Sequence, residues 1–184
     1  MTDRKKILAI CGSTRQNSSN HNLLKAIQNL SVDSLELSIF DGLSELPHFN
    51  PDYNNDNVFK KVKDFRNQIN NSDGIIICTP EYAHGVPGSL KNAIDWTVST
   101  NEFYHKPTVL ITASTDGEFG HKALLETLRV IEAKNIDQLN LLIQFVRTKT
   151  NANSEIADEK TLLDIKELLS NFILTLNEQV DLKE

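Results

Sequence analysis

The sequence predicts one doubly wound α/β domain over residues 1–184, a five-stranded parallel sheet in the order 2-1-3-4-5 with helices on both faces. Three observations carry that prediction. Short apolar runs alternate with stripes of helical period, two of those runs are apolar without alternation, and two of them lead into polar loops punctuated by Gly or Pro. Right-handed crossovers then leave few topologies, and the shortness of the chain favours five strands over the six-stranded dinucleotide fold.

The first run, KKILAICG (5–12), reads as a strand, and HNLLKAIQNL after it places Leu23, Ile27 and Leu30 on one helical face. LELSIFD (35–41) sets Leu35, Leu37 and Ile39 against Glu36 and Ser38, the alternation of a half-exposed edge strand. DGIIICTP (73–80) and PTVLITAS (107–114) lack alternation, as strands covered on both faces do, and are expected at the centre. LNLLIQFV (139–146) is the fifth strand candidate. Helical stripes run through Val58, Val62, Phe65 and Ile69, through Leu90, Ile94, Thr97 and Val98, and through Leu124, Leu128 and Ile131. A terminal helix is expected from Leu162, Leu169, Phe172, Ile173, Leu176 and Val180.

Composition bounds the function without naming it. The chain is 39% hydrophobic and 24% charged, like an average soluble globule, and carries no repeat or low-complexity tract. Its net charge of -6 and lack of a basic run argue against a nucleic-acid partner. The start MTDRKKILAICGS has no signal-peptide pattern, and no run approaches the ~20 apolar residues of a membrane span, so a cytoplasmic protein without a membrane partner is expected. Cys11 and Cys78 each end an apolar run and read as buried, reduced thiols. The five histidines, His21, His48, His84, His105 and His121, show no ligand spacing, and no metal is expected.

In a sheet of this order, ligands sit outside the carboxyl ends of the strands where strand order reverses, between the first and third strands. Those two strands end in the most polar loops. In the first, CGSTRQNSSN (11–20), Gly12 permits a tight turn, Ser13, Thr14, Ser18 and Ser19 offer hydroxyls, Asn20 can cap the helix and Arg15 adds a fixed charge. With no acidic residue in the loop and a helix N-terminus behind it, the matching ligand group is a phosphate; a Ser/Asn-rich helix cap without a ligand is the competing explanation. The pattern is neither a P-loop nor G-x-G-x-x-G.

In the second loop, TPEYAHGVPG (79–88), Pro80 and Pro87 stiffen the backbone, while Gly85 and Gly88 allow close approach or positive φ, which suits a flat ligand lying on peptide edges. A helix starting near Pro87 or Gly88 would stabilise negative charge on such a ring, although Pro87 also serves plain helix initiation and Glu81, Tyr82 and His84 also read as solvated loop residues. ASTDGEFG (113–120) is placed to close the crevice from its other side, or is simply a turn. The stretch 41–56 is long for a connection, a mark of either function or mobility.

GSTRQNSSN resembles the phosphate loop of the NADPH-dependent FMN reductase family, G-S-x-R-x-x-S-x-N. PEYAHGVPGSLKNAIDW resembles that family's P-E-Y-N-x-x-x-P-G-x-L-K-N-A-I-D-W signature, and the likeness covers most of residues 5–135. The resemblance implies a flavodoxin-like fold binding FMN, with Ser13, Arg15, Ser18 and Asn20 at the phosphate and Ser19 beside them. It implies Pro80, Glu81, Tyr82, Ala83 and His84 along the isoalloxazine, and Ser114, Thr115 and Asp116 near its pyrimidine side. Ala83 departs from the family Asn, and STNEF (99–103) departs from a common Ser-Arg-Pro.

The implied activity is ping-pong transfer from NADPH or NADH to the flavin N5 and on to a quinone, azo compound, metal oxyanion or free flavin, with no catalytic side chain. The resemblance also implies a homodimer or homotetramer, with the helix around Asp95 and Trp96 as a candidate surface. A flavodoxin-like electron carrier without NAD(P)H activity and a flavin-free scaffold are the alternatives.

Overall fold

A computed structural model describes residues 4–15, 17–55, 58–151 and 153–178. Gln16, Asp56 and Val180 of the stretches above lie outside the described residues. Five parallel strands, β1 (Lys5–Cys11), β2 (Leu35–Phe40), β3 (Gly74–Thr79), β4 (Thr108–Ala113) and β5 (Asn140–Ile143), form one sheet in the order β2-β1-β3-β4-β5. Five helices join and follow them: α1 (Ser19–Leu30), α2 (Lys60–Asn70), α3 (Gly88–Asp95), α4 (Glu118–Val130) and α5 (Glu159–Glu178). The order and the central placement of β3 and β4 agree with the sequence expectation, and the chain has a flavodoxin-like topology.

Every residue of β3 and β4 is buried, which explains why these runs do not alternate. Ile7, Ala9, Ile76, Val109 and Ile111 face α1 and α5, meeting Leu23, Leu24, Ile27, Ile165, Leu169 and Phe172. Leu8, Ile10, Ile75, Ile77 and Leu110 face the other way, onto Val62, Phe65 and Ile69 of α2, Leu90 and Ile94 of α3, and Leu124 and Leu128 of α4. At the edge, β2 buries Leu35 and Leu37 and exposes Glu36 and Ser38.

The stripes needed local correction. Leu30, the last residue of α1, is 43% exposed, and Val98, three residues past the end of α3, is 49% exposed. On α5, Ile165 and Leu168 join the buried face, whereas Leu162 is only half-buried. Among the described residues no helix is long and apolar enough to cross a membrane.

The long connection after β2 is tied down. The Asn92 side chain accepts from Phe49 N–H (2.7 Å) and donates to the Pro47 carbonyl (3.0 Å), which also accepts from Trp96 Nε1 (2.8 Å). Trp96 is fully buried, its ring edge-on to Phe49 and Phe59. Its side chain is thus turned inward and serves as a clasp for the loop.

Candidate functional site

The carboxyl ends of β1, β3 and β4 bring three loops together, and each is built differently. Gly12 N–H continues the β1–β3 ladder by donating to the Cys78 carbonyl (2.8 Å). A Cβ at this position would lie 2.3 Å from Thr79 Oγ1, so glycine is required by close approach of the two strands and not by an unusual φ. Ser18 caps α1 by accepting from Asn20 N–H (3.2 Å), and no acidic residue occupies the first turn.

Asn20 is therefore not the cap. It is buried, donates through Nδ2 to the Ala113 carbonyl (3.0 Å) and accepts from Cys78 Sγ (3.3 Å), tying α1 to β3 and β4. Cys11 and Cys78 are free and buried, and burial pushes both thiols up, as expected of inert core residues.

The second loop turns on residues that sequence reasoning did not single out for it. Tyr82 N–H donates to the Gly85 carbonyl and Gly85 N–H to the Tyr82 carbonyl, both at 2.9 Å. The two residues between, Ala83 (φ 48°) and His84 (φ 59°), are both left-handed, the geometry of a two-residue type I′ turn. Gly85 and Gly88 carry no positive φ. Glu81 is not a free carboxylate: its Oε2 accepts from Gly120 N–H (2.7 Å) in the first turn of α4, and its own N–H donates to Ser114 Oγ (3.3 Å). The His84 ring stacks on Phe119 with centroids 4.3 Å apart. α3 starts at Gly88, directly after Pro87, as expected.

In the third loop, Gly117 (φ 102°) starts α4 in a left-handed conformation. Asp116 accepts from Gln144 Nε2 (3.0 Å), which turns it towards the end of β5. Behind this loop His121 is buried with both ring nitrogens engaged, Nδ1 with Thr112 Oγ1 (2.9 Å) and Nε2 with Asn140 Oδ1 (3.1 Å). Burial lowers its pKa below the usual histidine value.

Between the loops lies an open cleft of about 240 Å³. The first loop lines it with Ser13, Arg15, Ser18, Ser19 and Asn20, the second with Pro80, Glu81 and Tyr82, and the third with Ser114 and Thr115. Ala83, His84 and Asp116, also expected at the site, do not line it; they shape the loops from behind. Ala113, Val146 and Arg147 line it without having been expected. Nothing in a motif marks Arg147, and its only sequence signal is a basic residue just past the fifth strand run.

A second cleft of similar size opens beyond Ser13–Arg15, beside His21 and Asp41. Asp41 is 77% exposed there, an unfavourable neighbour for an anion, whereas in the three-loop cleft the one acidic liner, Glu81, is bound to α4. Among the described residues neither Arg15 nor Arg147 makes an ion pair. Hydroxyls, helix N–H groups and unpaired guanidinium charge at one end, with rigid peptide edges at the other, fit a phosphorylated ligand with a flat body.

Residues 5–146 match the NADPH-dependent FMN reductase family, and the chain belongs to that family. It is 31% identical over 166 residues to an NAD(P)H-dependent FMN reductase of Pseudomonas aeruginosa, covering 87% of this chain and 89% of that one. It is likewise 31% identical over 164 residues to a 2-hydroxy-1,4-benzoquinone reductase of a Burkholderia species, covering 85% and 87%. A solved flavoenzyme NAD(P)H:(acceptor) oxidoreductase from Paracoccus denitrificans superposes with a TM-score of 0.80 at 27% identity, over 95% of this chain and 98% of that one.

Proposed function

We propose that this member of the NADPH-dependent FMN reductase family holds FMN in the three-loop cleft and oxidises NADPH or NADH in favour of a small-molecule acceptor. A quinone is the leading acceptor, with azo compounds, metal oxyanions and free flavin as further candidates. The observation that carries this reading is the cleft itself, where Arg15 without a carboxylate partner and the N-terminus of α1 lie across from a stiff β3 loop. Quinone heads the acceptors because of the benzoquinone reductase relative.

FMN, when bound, would supply the redox chemistry between the nicotinamide and the acceptor. The protein binds and orients. Arg15, the Ser13 and Ser18 hydroxyls, Ser19 and the free N–H groups of α1 hold the phosphate. The Pro80–Tyr82 backbone would support the ring, and Ser114 and Thr115, which line the same cleft, would serve its pyrimidine part. Glu81 acts through α4, since its carboxylate is already engaged there. No acid–base pair is needed, and no side chain is assigned that role.

Tyr82, which lines the cleft, and Phe119 and Phe145, near its loops in the chain, are exposed rings, which supports a homodimer or homotetramer with the site near the subunit boundary. Sedimentation of the purified protein as a monomer would remove that part of the reading. The activity is tested by mixing protein, FMN, a quinone and either nicotinamide while following the near-ultraviolet absorbance of the reduced nicotinamide. A yellow protein that oxidises neither nicotinamide would be an electron carrier, and the enzymatic reading would fail.

A further inference from the structure

Arg147 is the one charge in the cleft that no motif explains. It sits in a short 3-10 turn, Val146–Thr148, directly after β5. The turn is clamped to the third loop by Phe145 N–H to the Thr115 carbonyl (3.2 Å) and Val146 N–H to the Ser114 carbonyl (3.1 Å). It is closed on itself by Thr148 N–H to the Phe145 carbonyl (3.0 Å), with Phe145 left-handed at φ 53°. It also packs beside α1, and so Arg147 shares the cleft with Ser18 and Ser19 at the start of that helix.

Carboxylates near it in sequence and in the third loop are engaged elsewhere: Asp137 pairs with Arg129 (2.6 Å) and Glu155 accepts from Asn151 Nδ2 (2.7 Å). Asp116 is hydrogen-bonded to Gln144, and Asp158 pairs with Lys149 at 2.9 Å. Among the described residues Arg147 has no ion-pair partner, and neither does Arg15. The family match ends at Val146, one residue before it.

We propose that Arg147 is a second phosphate-binding arginine, so that the cleft selects a terminal dianionic phosphate, and hence FMN over riboflavin, with two guanidinium groups from opposite ends of the chain. This rests on the FMN reading above. A phosphate monoester carries a charge of about -1.5 to -2 near neutral pH. Arg15 offsets one unit, and the N-terminus of α1 adds only about half a unit of positive charge. Arg147, which lines the same cleft as Arg15, completes the match. Arginine suits the task because its planar fork can bind two phosphate oxygens at once.

The test is titration of the full-length chain, and of Arg147→Ala and Arg147→Lys, with FMN and separately with riboflavin, following flavin fluorescence, with far-ultraviolet circular dichroism checking the fold. Arg147→Ala is expected to weaken FMN about tenfold, the worth of one charge-assisted hydrogen bond at a partly solvated site, and to leave riboflavin within about a factor of two. Arg147→Lys should recover part of the loss. An unchanged ratio of FMN to riboflavin affinity would overturn the inference, whether both affinities fall, which would place Arg147 at the ring, or neither does. A wild-type chain that binds riboflavin and FMN alike would also overturn it, while one that binds no flavin would first overturn the cofactor reading.

Discussion

The loops after β1 and β3 meet at one cleft but are made in opposite ways. After β1 the charged side chain is left over: Arg15 has no ion-pair partner among the described residues, while the Ser18 hydroxyl accepts the helix-cap hydrogen bond. After β3 the side chains of Glu81 and His84 are consumed, and the backbone closes on itself. Glu81 binds Gly120 N–H, His84 stacks on Phe119, and Tyr82 and Gly85 close a tight turn on themselves. One loop presents movable charge to a ligand, and the other presents a backbone whose shape is held by contacts facing away from it. Recognition of an anion and support of a flat ring need these two designs, because charge must be free to bind whereas a platform must not move.

The contrast predicts where substitutions act. The largest effect is expected from Arg15→Ala, which should weaken FMN retention by about 1.5 to 3 kcal/mol with little change in thermal stability. Flavin titration and a melting curve measure both, and a stability loss without an affinity loss would reverse the roles assigned to the loops. Glu81→Ala should do the opposite. Removing the α4 contact costs about 1 kcal/mol of stability, the usual worth of a helix-terminus acceptor, and should appear in urea denaturation of the flavin-free chain.

A smaller gain is expected from Ala83→Asn. Alanine at φ 48° is held in a conformation that asparagine tolerates better, so unfolding should become about 0.5 to 1 kcal/mol harder. The same geometry supplies a physical reason for the family Asn at this position, namely backbone preference, in addition to any hydrogen bond its side chain makes. A destabilised Ala83→Asn chain would show that the turn is not under strain.

The smallest effect is a pH slope from His121. Its pKa is depressed by burial, so below the ordinary histidine value of about 6.5 the unfolded chain takes up a proton that the folded chain resists. Stability from this group is therefore complete above that pH and is lost as pH falls through the window beneath it. Since His121 docks the first turn of α4 to β4 and β5, the loss should loosen the anchor of the second loop before the first. His121→Gln should flatten the slope in melting temperature measured from neutral to mildly acidic pH.

Much of the site was legible because its signals are local. The Ser-rich loop with Arg15 and the Pro-stiffened loop after β3 follow unbroken apolar runs, and topology alone puts two such loops together. Ten of the thirteen expected residues line the cleft. Ala83, His84 and Asp116 do not, because their placement depends on a turn type and on a partner, Gln144, that only the fold supplies. The burial of Trp96 was illegible for a related reason. A large ring at a helix end looks like surface until Pro47, Phe49 and Phe59 are seen to cover it.

By itself the sequence determined five parallel strands, their order and the two loops that matter, since hydrophobic period, loop composition and crossover handedness act over short stretches of chain. Tertiary structure alone decided that Glu81 belongs to α4, that Asn20 braces two strands and that Arg147 reaches the cleft. Each of those outcomes is a contact between residues far apart in sequence, set by strand register and by which backbone groups remain to be satisfied once the sheet has formed.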